Sequence, residues 1–319
     1  MKPILFCACI VLGIISMFRS CIDDDDEGTT VVNFGKNRFT TILEEDTREY
    51  YVHVPKSYNA IDALPVVFML HGSGGSGERF YNISGWKDVG EAQNILTVFP
   101  SAAQYPCVLD DGIQKRRAEK WNCYGLELCN GETPQDDVKF LTQIIDELKH
   151  RYMIDEKRIY IAGFSNGGEM AARTAIELSD KIAAVVACAG ALPTDTTFVP
   201  TRKLPILLQA GNSDAKLMAQ LETTTPLPMD FDELFTQFAA VEKIANTITR
   251  SFALDSVYTV GGTSNTFIYA DYKNDFGSSD NVFRFMLVKG LGHSYPNGKN
   301  HPLMGAEVHW NWMKDYRLP

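Results

Sequence analysis

The chain has little positive charge: 30 lysines and arginines stand against 40 acids, for a formal net charge of −10 over 319 residues. No run of basic residues interrupts this balance, which speaks against nucleic acid as a partner. No Gly-Lys-Ser/Thr follows the glycine-rich stretch His71–Gly77, so a phosphate-binding P-loop is excluded. The cysteines have no histidine beside them at ligand spacing, so no zinc template is met and neither metal nor organic cofactor is expected. Internal repeats and low-complexity linkers are absent as well. What is present is a hydrophobic content of 45% with 22% charged residues, the balance of a globular chain. Its length suits one large α/β domain.

The N-terminus reads as an address. Lys2 precedes an apolar stretch from Pro3 to Phe18, which is short for a membrane span and is closed by Arg19. Cys21, followed by Ile22 and five acids, resembles a bacterial lipoprotein signal. On that reading residues 1–20 are a signal peptide, Cys21 is the lipidated first residue, and residues 21–30 form an acidic tether. A plain secretory signal is the alternative. Removing residues 1–20 takes away Lys2 and Arg19 and no acid, leaving the remainder at −12. Cys188 lies in a buried-strand pattern and reads as a small core residue. Cys107, Cys123 and Cys129 flank one loop, where an oxidising compartment would allow a disulfide between two of them.

Residues 31–319 read as one domain. Residues 38–43 and 48–55 suggest an opening hairpin. Continuous apolar runs at 65–70, 94–100, 159–162, 183–188, 204–210 and 283–288 have the pattern of strands buried on both faces. Helical spacing appears at 136–152, 169–178, 231–248 and 307–316, with two further β runs near 256–260 and 264–271. Strands alternating with helices imply a mostly parallel sheet with helices on both faces.

The chemistry is expected where strands end. Gly163-Phe-Ser-Asn-Gly167 fits the G-x-S-x-G elbow, with a buried strand before it and a run of strong helix formers after it. The competing reading is a glycine-rich turn holding a buried serine. With Ser165 as nucleophile, a base and an acid to orient it are required. Of six histidines, His293 follows the buried run 283–288 in Lys289-Gly-Leu-Gly-His293, whereas His71 belongs to the Gly-rich turn that precedes the nucleophile. Asp214 follows the run 204–210 in the same way, whereas its rivals Asp230, Asp232 and Asp255 do not. The order Ser165, Asp214, His293 is that of α/β-hydrolases. Two backbone donors for an oxyanion are expected from Asn166, next to the nucleophile, and from Ser73, in the loop after 65–70. Trp121 reads either as a substrate platform or as an ordinary half-buried aromatic.

Together, Arg48-x-Tyr50-x-Val52-x-Val54-Pro55, Leu70-His-Gly-Ser-Gly-Gly75, Gly163-Phe-Ser-Asn-Gly-Gly168, Ala210-Gly-Asn-Ser-Asp214 and Gly290-Leu-Gly-His293 resemble the secreted polyhydroxybutyrate depolymerase and feruloyl/acetylxylan esterase group of α/β-hydrolases. The resemblance covers residues 38–316. It departs at Ser73, where many relatives have cysteine, and at Ala210–Asp214, where many have His-Gly-Thr-x-Asp. It implies an α/β-hydrolase fold and a serine carboxylic-ester hydrolase acting on polysaccharide-linked feruloyl or acetyl esters. A polyester or short-chain ester is the rival substrate, and a peptidase of the same fold is less favoured because no large cap domain is present. A surface binding lipoprotein that lost catalysis is the reading from another class. The expected partners are an ester substrate and, through the lipid anchor alone, a membrane.

Overall fold

The computed structural model describes residues 33–108, 115–124, 133–194, 196–274 and 281–319. The expected signal peptide at 1–20, Cys21 and the tether at 21–30 lie outside the described residues. So does the expected disulfide, because every pairing of the three cysteines involves the side chain of Cys107 or Cys129.

The chain opens with an antiparallel hairpin, β1 (Gly35–Leu43) and β2 (Asp46–Val54), as the alternating sequence predicts. Strand β3 (Leu64–Leu70) is buried throughout. Two short helices follow, α1 (Gly77–Ile83) and α2 (Trp86–Gln93), and then β4 (Leu96–Pro100). A separate two-stranded ribbon, β5 (Ala103–Val108) with β6 (Lys115–Lys120), precedes α3 (Asp137–Arg151). Asp136 caps α3 by accepting from the N–H of Lys139, and Lys149, His150 and Arg151 sit in its last turn, where the helix dipole favours positive charge. Next come β7 (Ile154–Phe164), α4 (Asn166–Glu177), β8 (Ala184–Cys188) and β9 (Ile206–Gly211). Helices α5 (Ala215–Gln220), α6 (Phe231–Gln237) and α7 (Ala239–Phe252) lead to β10 (Tyr258–Thr263), β11 (Phe267–Tyr272) and β12 (Phe283–Val288). Helix α8 (Gly305–Met313) follows.

Ten strands form one sheet in the order β1-β2-β4-β3-β7-β8-β9-β12-β11-β10. The six from β4 to β12 in that order are parallel neighbours, and an antiparallel hairpin closes each edge. Helices α1, α2 and α8 cover one face, where Phe80, Trp86 and Trp310 join a core with Val67, Met69, Tyr160, Val186 and Met286. The alternate strand residues Val66, Phe68, Ile161 and Val185 are fully buried too. They belong to the other face, against which α3, α4 and α7 pack. Each such side chain contributes about 1.5–3 kcal/mol by leaving water. Cys188 is buried in this core, as its strand pattern predicts.

Three differences from the sequence reading have physical causes. The elbow strand runs from Ile154, not 159, because its polar start is paired at the sheet end yet partly exposed. The helix expected over 231–248 breaks at Phe238, whose φ of −128° and ψ of 80° are not helical, so α6 and α7 bury separate stripes. Helices α1, α2 and α5 span only six to eight residues each, too short for a periodic signal.

Candidate active site

Parallel strands end at one edge, and the expected site residues gather there. Strand β7 ends at Phe164 and α4 starts at Asn166, so Ser165 alone makes the turn. Its φ of 55° and ψ of −124° lie in a region that side chains other than glycine's rarely occupy, a strain of about 1–3 kcal/mol. The Ser165 N–H donates to the carbonyl of Cys188 at 2.8 Å, which ties the turn to the end of β8. The turn is so tight that a Cβ on Gly163 would stand 1.9 Å from the carbonyl oxygen of Gly167. That is why the motif demands glycine there.

Asp214 and His293 complete a hydrogen-bonded chain. Asp214 caps α5: its Oδ1 accepts from the N–H groups of Lys216 at 2.9 Å and Leu217 at 3.3 Å. Its Oδ2 faces His293 Nδ1 at 2.8 Å. A carboxylate only accepts, so Nδ1 carries the proton, and Nε2 accepts from the Ser165 hydroxyl at 2.9 Å. Burial would raise the Asp214 carboxyl, but the hydrogen bond and charge of His293 and the two capping N–H groups outweigh it and hold the pKa below the usual value. The loops carrying these two residues are fastened together. Gly290 N–H donates to Asn212 Oδ1 at 2.6 Å, and Ser213 N–H to the Leu291 carbonyl at 3.1 Å. A Cβ on Gly211 would stand 2.1 Å from that Leu291 oxygen, so this approach also requires glycine. Asp230 instead caps α6 and Asp232 accepts from the Tyr258 hydroxyl, which removes both from the site.

Ser73 and Asn166 line the same cavity as Ser165 and His293. The Ser73 loop is close to the serine, since a Cβ on Gly72 would stand 3.2 Å from Ser165 Cβ. Neither the Ser73 nor the Asn166 backbone N–H donates to a protein group among the described residues. What the sequence did not reveal is how these two segments are joined. Asn166 Oδ1 accepts from the Trp121 N–H at 2.7 Å, and its Nδ2 donates to the Trp121 carbonyl at 3.3 Å. The Trp121 indole N–H then donates to the His71 carbonyl at 2.8 Å. Gly74 N–H reaches the Glu119 carbonyl at 2.8 Å. Trp121 is fully buried, so it is neither the exposed platform nor the half-buried aromatic of the sequence reading. The segment is held from below by Asp137, which accepts from Asn122 N–H at 2.7 Å and forms a buried ion pair with Arg48 at 2.8 Å. The residues 119–122 show no periodicity, and all these partners are distant in sequence, so no sequence signal marks them.

A second buried network lies beneath the base. Trp86 Nε1–H donates to the Tyr295 hydroxyl at 2.9 Å, which leaves the Tyr295 proton for His309 Nδ1 at 2.9 Å. His309 Nε2 then donates to Gln209 Oε1 at 2.9 Å, and Gln209 lines the cavity. Tyr295 is two residues beyond His293, so this network fixes the end of the base's loop.

The cavity measures about 530 Å³. Leu208, Ala210, Val241, Ile244 and Phe285 give it an apolar part, and Lys120, Glu169 and Lys216 are charged residues of its wall. No group of three or more potential metal ligands occurs among the described residues. Nor is any described helix long and apolar enough to cross a membrane.

A parallel sheet flanked by helices, with a serine at the strand–helix elbow linked to a histidine and an aspartate at later strand ends, defines an α/β-hydrolase. The chain belongs to the phospholipase/carboxylesterase family, whose profile matches residues 59–226, just over half of it. That stretch includes Ser165 and Asp214 but stops before His293. The NocK protein of Nocardia uniformis subsp. tsuyamanensis is 31% identical over 170 residues, 53% of this chain and 45% of NocK. Feruloyl esterase B of Piromyces equi is 29% identical over 175 residues, 54% of this chain and 30% of that enzyme. The chain thus spans less than half the length of these curated relatives. Among solved structures, an acetyl xylan esterase from Aspergillus awamori superposes with a TM-score of 0.55 over 87% of this chain and 99% of that one. At 11% identity this likeness shows the fold. The expected resemblance to the feruloyl and acetylxylan esterase group is therefore present both in sequence and in fold.

Proposed function

We propose that the protein is a serine carboxylic-ester hydrolase with Ser165, His293 and Asp214 as its triad. The observation that carries this is the continuous chain Ser165 Oγ–His293 Nε2 at 2.9 Å and His293 Nδ1–Asp214 Oδ2 at 2.8 Å, built on a strained elbow. Ser165 Oγ attacks the ester carbonyl as His293 Nε2 takes its proton, and the tetrahedral oxyanion accepts from the N–H groups of Ser73 and Asn166. His293 passes that proton to the leaving alcohol oxygen, and the C–O bond breaks to give an acyl-serine. Water, deprotonated by His293, then attacks the acyl carbon. Collapse releases the acid and returns the proton to Ser165. Asp214, held ionised, keeps the imidazole in the required tautomer and stabilises the imidazolium.

The substrates we infer are esters linked to polysaccharides, feruloyl or acetyl. The similarity to feruloyl esterase B supports this class. The test is hydrolysis of methyl ferulate, acetylated xylan, a hydroxybutyrate oligomer and 4-nitrophenyl butyrate by the protein and its Ser165→Ala variant. Turnover should fall by about 10³-fold or more in the variant. Inactivity on both ferulate and acetylated xylan, with activity on the oligomer, would replace the polysaccharide reading with the polyester one. We further propose an extracytoplasmic enzyme anchored by lipid at Cys21. Labelled palmitate should enter the full chain in a bacterial host and be lost in Cys21→Ala, and an unlabelled full chain would sink the proposal.

A further inference from the structure

We propose that the ester accepted by this site carries a carboxylate, recognised by Lys120 and Lys216. This rests on the reading of the site as an ester hydrolase and narrows its substrate class. The chain has ten more acids than bases, yet its catalytic cavity is lined by two lysines and two acids. The acids are engaged. Asp214 spends both oxygens on His293 and on the N–H groups of Lys216 and Leu217. Glu169 Oε2 accepts from the Cys123 thiol at 3.1 Å and from Asn166 Nδ2 at 3.3 Å. Neither lysine ammonium has an ion pair or hydrogen bond among the described residues. The two ammonium groups are therefore the charged groups of the cavity wall that have no partner among the described residues, whereas both carboxylates already have theirs.

Both lysines also lie in or beside backbone joints to the segments of the site. The neighbours of Lys120 bind the two proposed oxyanion donors' segments: Glu119 O takes the Gly74 N–H, and Trp121 N–H reaches Asn166 Oδ1. Lys216 gives its own N–H to Asp214 Oδ1 in the first turn of α5. Lys120 is half-buried, so its charge is only partly screened by water, whereas Lys216 is exposed and its share is the more sensitive to salt. A neutral ester offers these ammonium groups no opposite charge. An acidic sugar presents its carboxylate on the alcohol side of the ester, and a diacid presents one on the acyl side.

Two matched pairs of esters separate these sources. Mono-(4-nitrophenyl) glutarate against 4-nitrophenyl valerate places the charge on the acyl side, and 4-acetoxybenzoate against 4-methylphenyl acetate places it on the alcohol side. In at least one pair the anionic ester should have a kcat/KM about tenfold or more above its neutral partner at low salt. That preference should shrink as ionic strength rises from about 0.01 M to about 1 M, where the screening length falls from roughly 30 Å to 3 Å. It should collapse towards unity in the double variant Lys120→Gln/Lys216→Gln and survive in Lys120→Arg/Lys216→Arg. Turnover of the neutral esters without an anionic preference in either pair would overturn the inference and leave the hydrolase reading standing. No turnover of any of the four, together with no labelling of Ser165 by a fluorophosphonate, would overturn both.

Discussion

The imidazole of His309 is enclosed by Tyr295, Gln209 and Cys188, and burial pushes its pKa down to about 3. His71 sits at the end of β3, where its Nδ1–H donates to the Gly72 carbonyl at 2.8 Å and its Nε2 accepts from Ala102 N–H at 3.0 Å. Burial lowers it to about 4, against smaller opposing effects of the Gly72 bond and Glu119. Both folded values lie below the roughly 6.5 of an unfolded histidine. The unfolded chain therefore binds protons first as pH falls, and stability that is complete above about pH 6.5 is lost progressively towards about pH 3–4. Each histidine should remove about 2 kcal/mol by pH 5, a sizeable share of a typical total of about 5–15 kcal/mol. Urea midpoints at pH 7.5 and pH 5 check this. The midpoint should drop on acidification, and the drop should be smaller in His309→Gln; equal midpoints in the parent protein would refute the argument.

At the scale of elements, the segment from Glu119 to Asn122 is what holds the two proposed oxyanion donors in one frame. Its partners are the Gly74 N–H, the His71 carbonyl, the Asn166 side-chain amide and the Asp137 carboxylate. Removing one joint should loosen a donor without removing it. Trp121→Phe keeps an aromatic ring in the core but loses the indole N–H to His71. Asn166→Ala keeps its backbone donor but loses the amide pairing. Both should lower kcat by about tenfold, since loss of a whole oxyanion donor costs about 10²–10³-fold. Little change in KM is expected, because the effect falls on the transition state. Steady-state kinetics beside a thermal melt decide it: a KM rise with kcat intact would mean that the segment shapes the pocket instead. The meeting of Ser165, Asp214 and His293 was legible in the sequence because each lies just past a continuous apolar run, and parallel strands end at one edge of the sheet. The joint at Trp121 was not, because its fully buried indole is fixed by backbone atoms that carry no side-chain signature. The break at Phe238 was equally silent, with no proline or glycine to announce it.

For the whole molecule, the sheet divides labour along its width. Strands β3, β7, β8 and β9 carry the Ser73 loop, the elbow, the Cys188 carbonyl that fastens it and Asp214, all before residue 215. His293 arrives from the far side of a long excursion through α5, α6, α7 and the β10–β11 hairpin, after a strand that pairs in parallel with β9. The match to the family profile ends at residue 226, inside that excursion, so the matched part of the fold and His293 are separated in the chain.

That separation sets a clock. As the polypeptide leaves the ribosome, Ser165 and Asp214 are made well before His293, and β12, which pairs in parallel with β9, is made last of the ten strands of the sheet. Until then the growing chain holds Ser165 without the imidazole that its hydroxyl donates to in the complete fold. On the proposed function, the appearance of hydrolysis would report that the last parallel strand has docked.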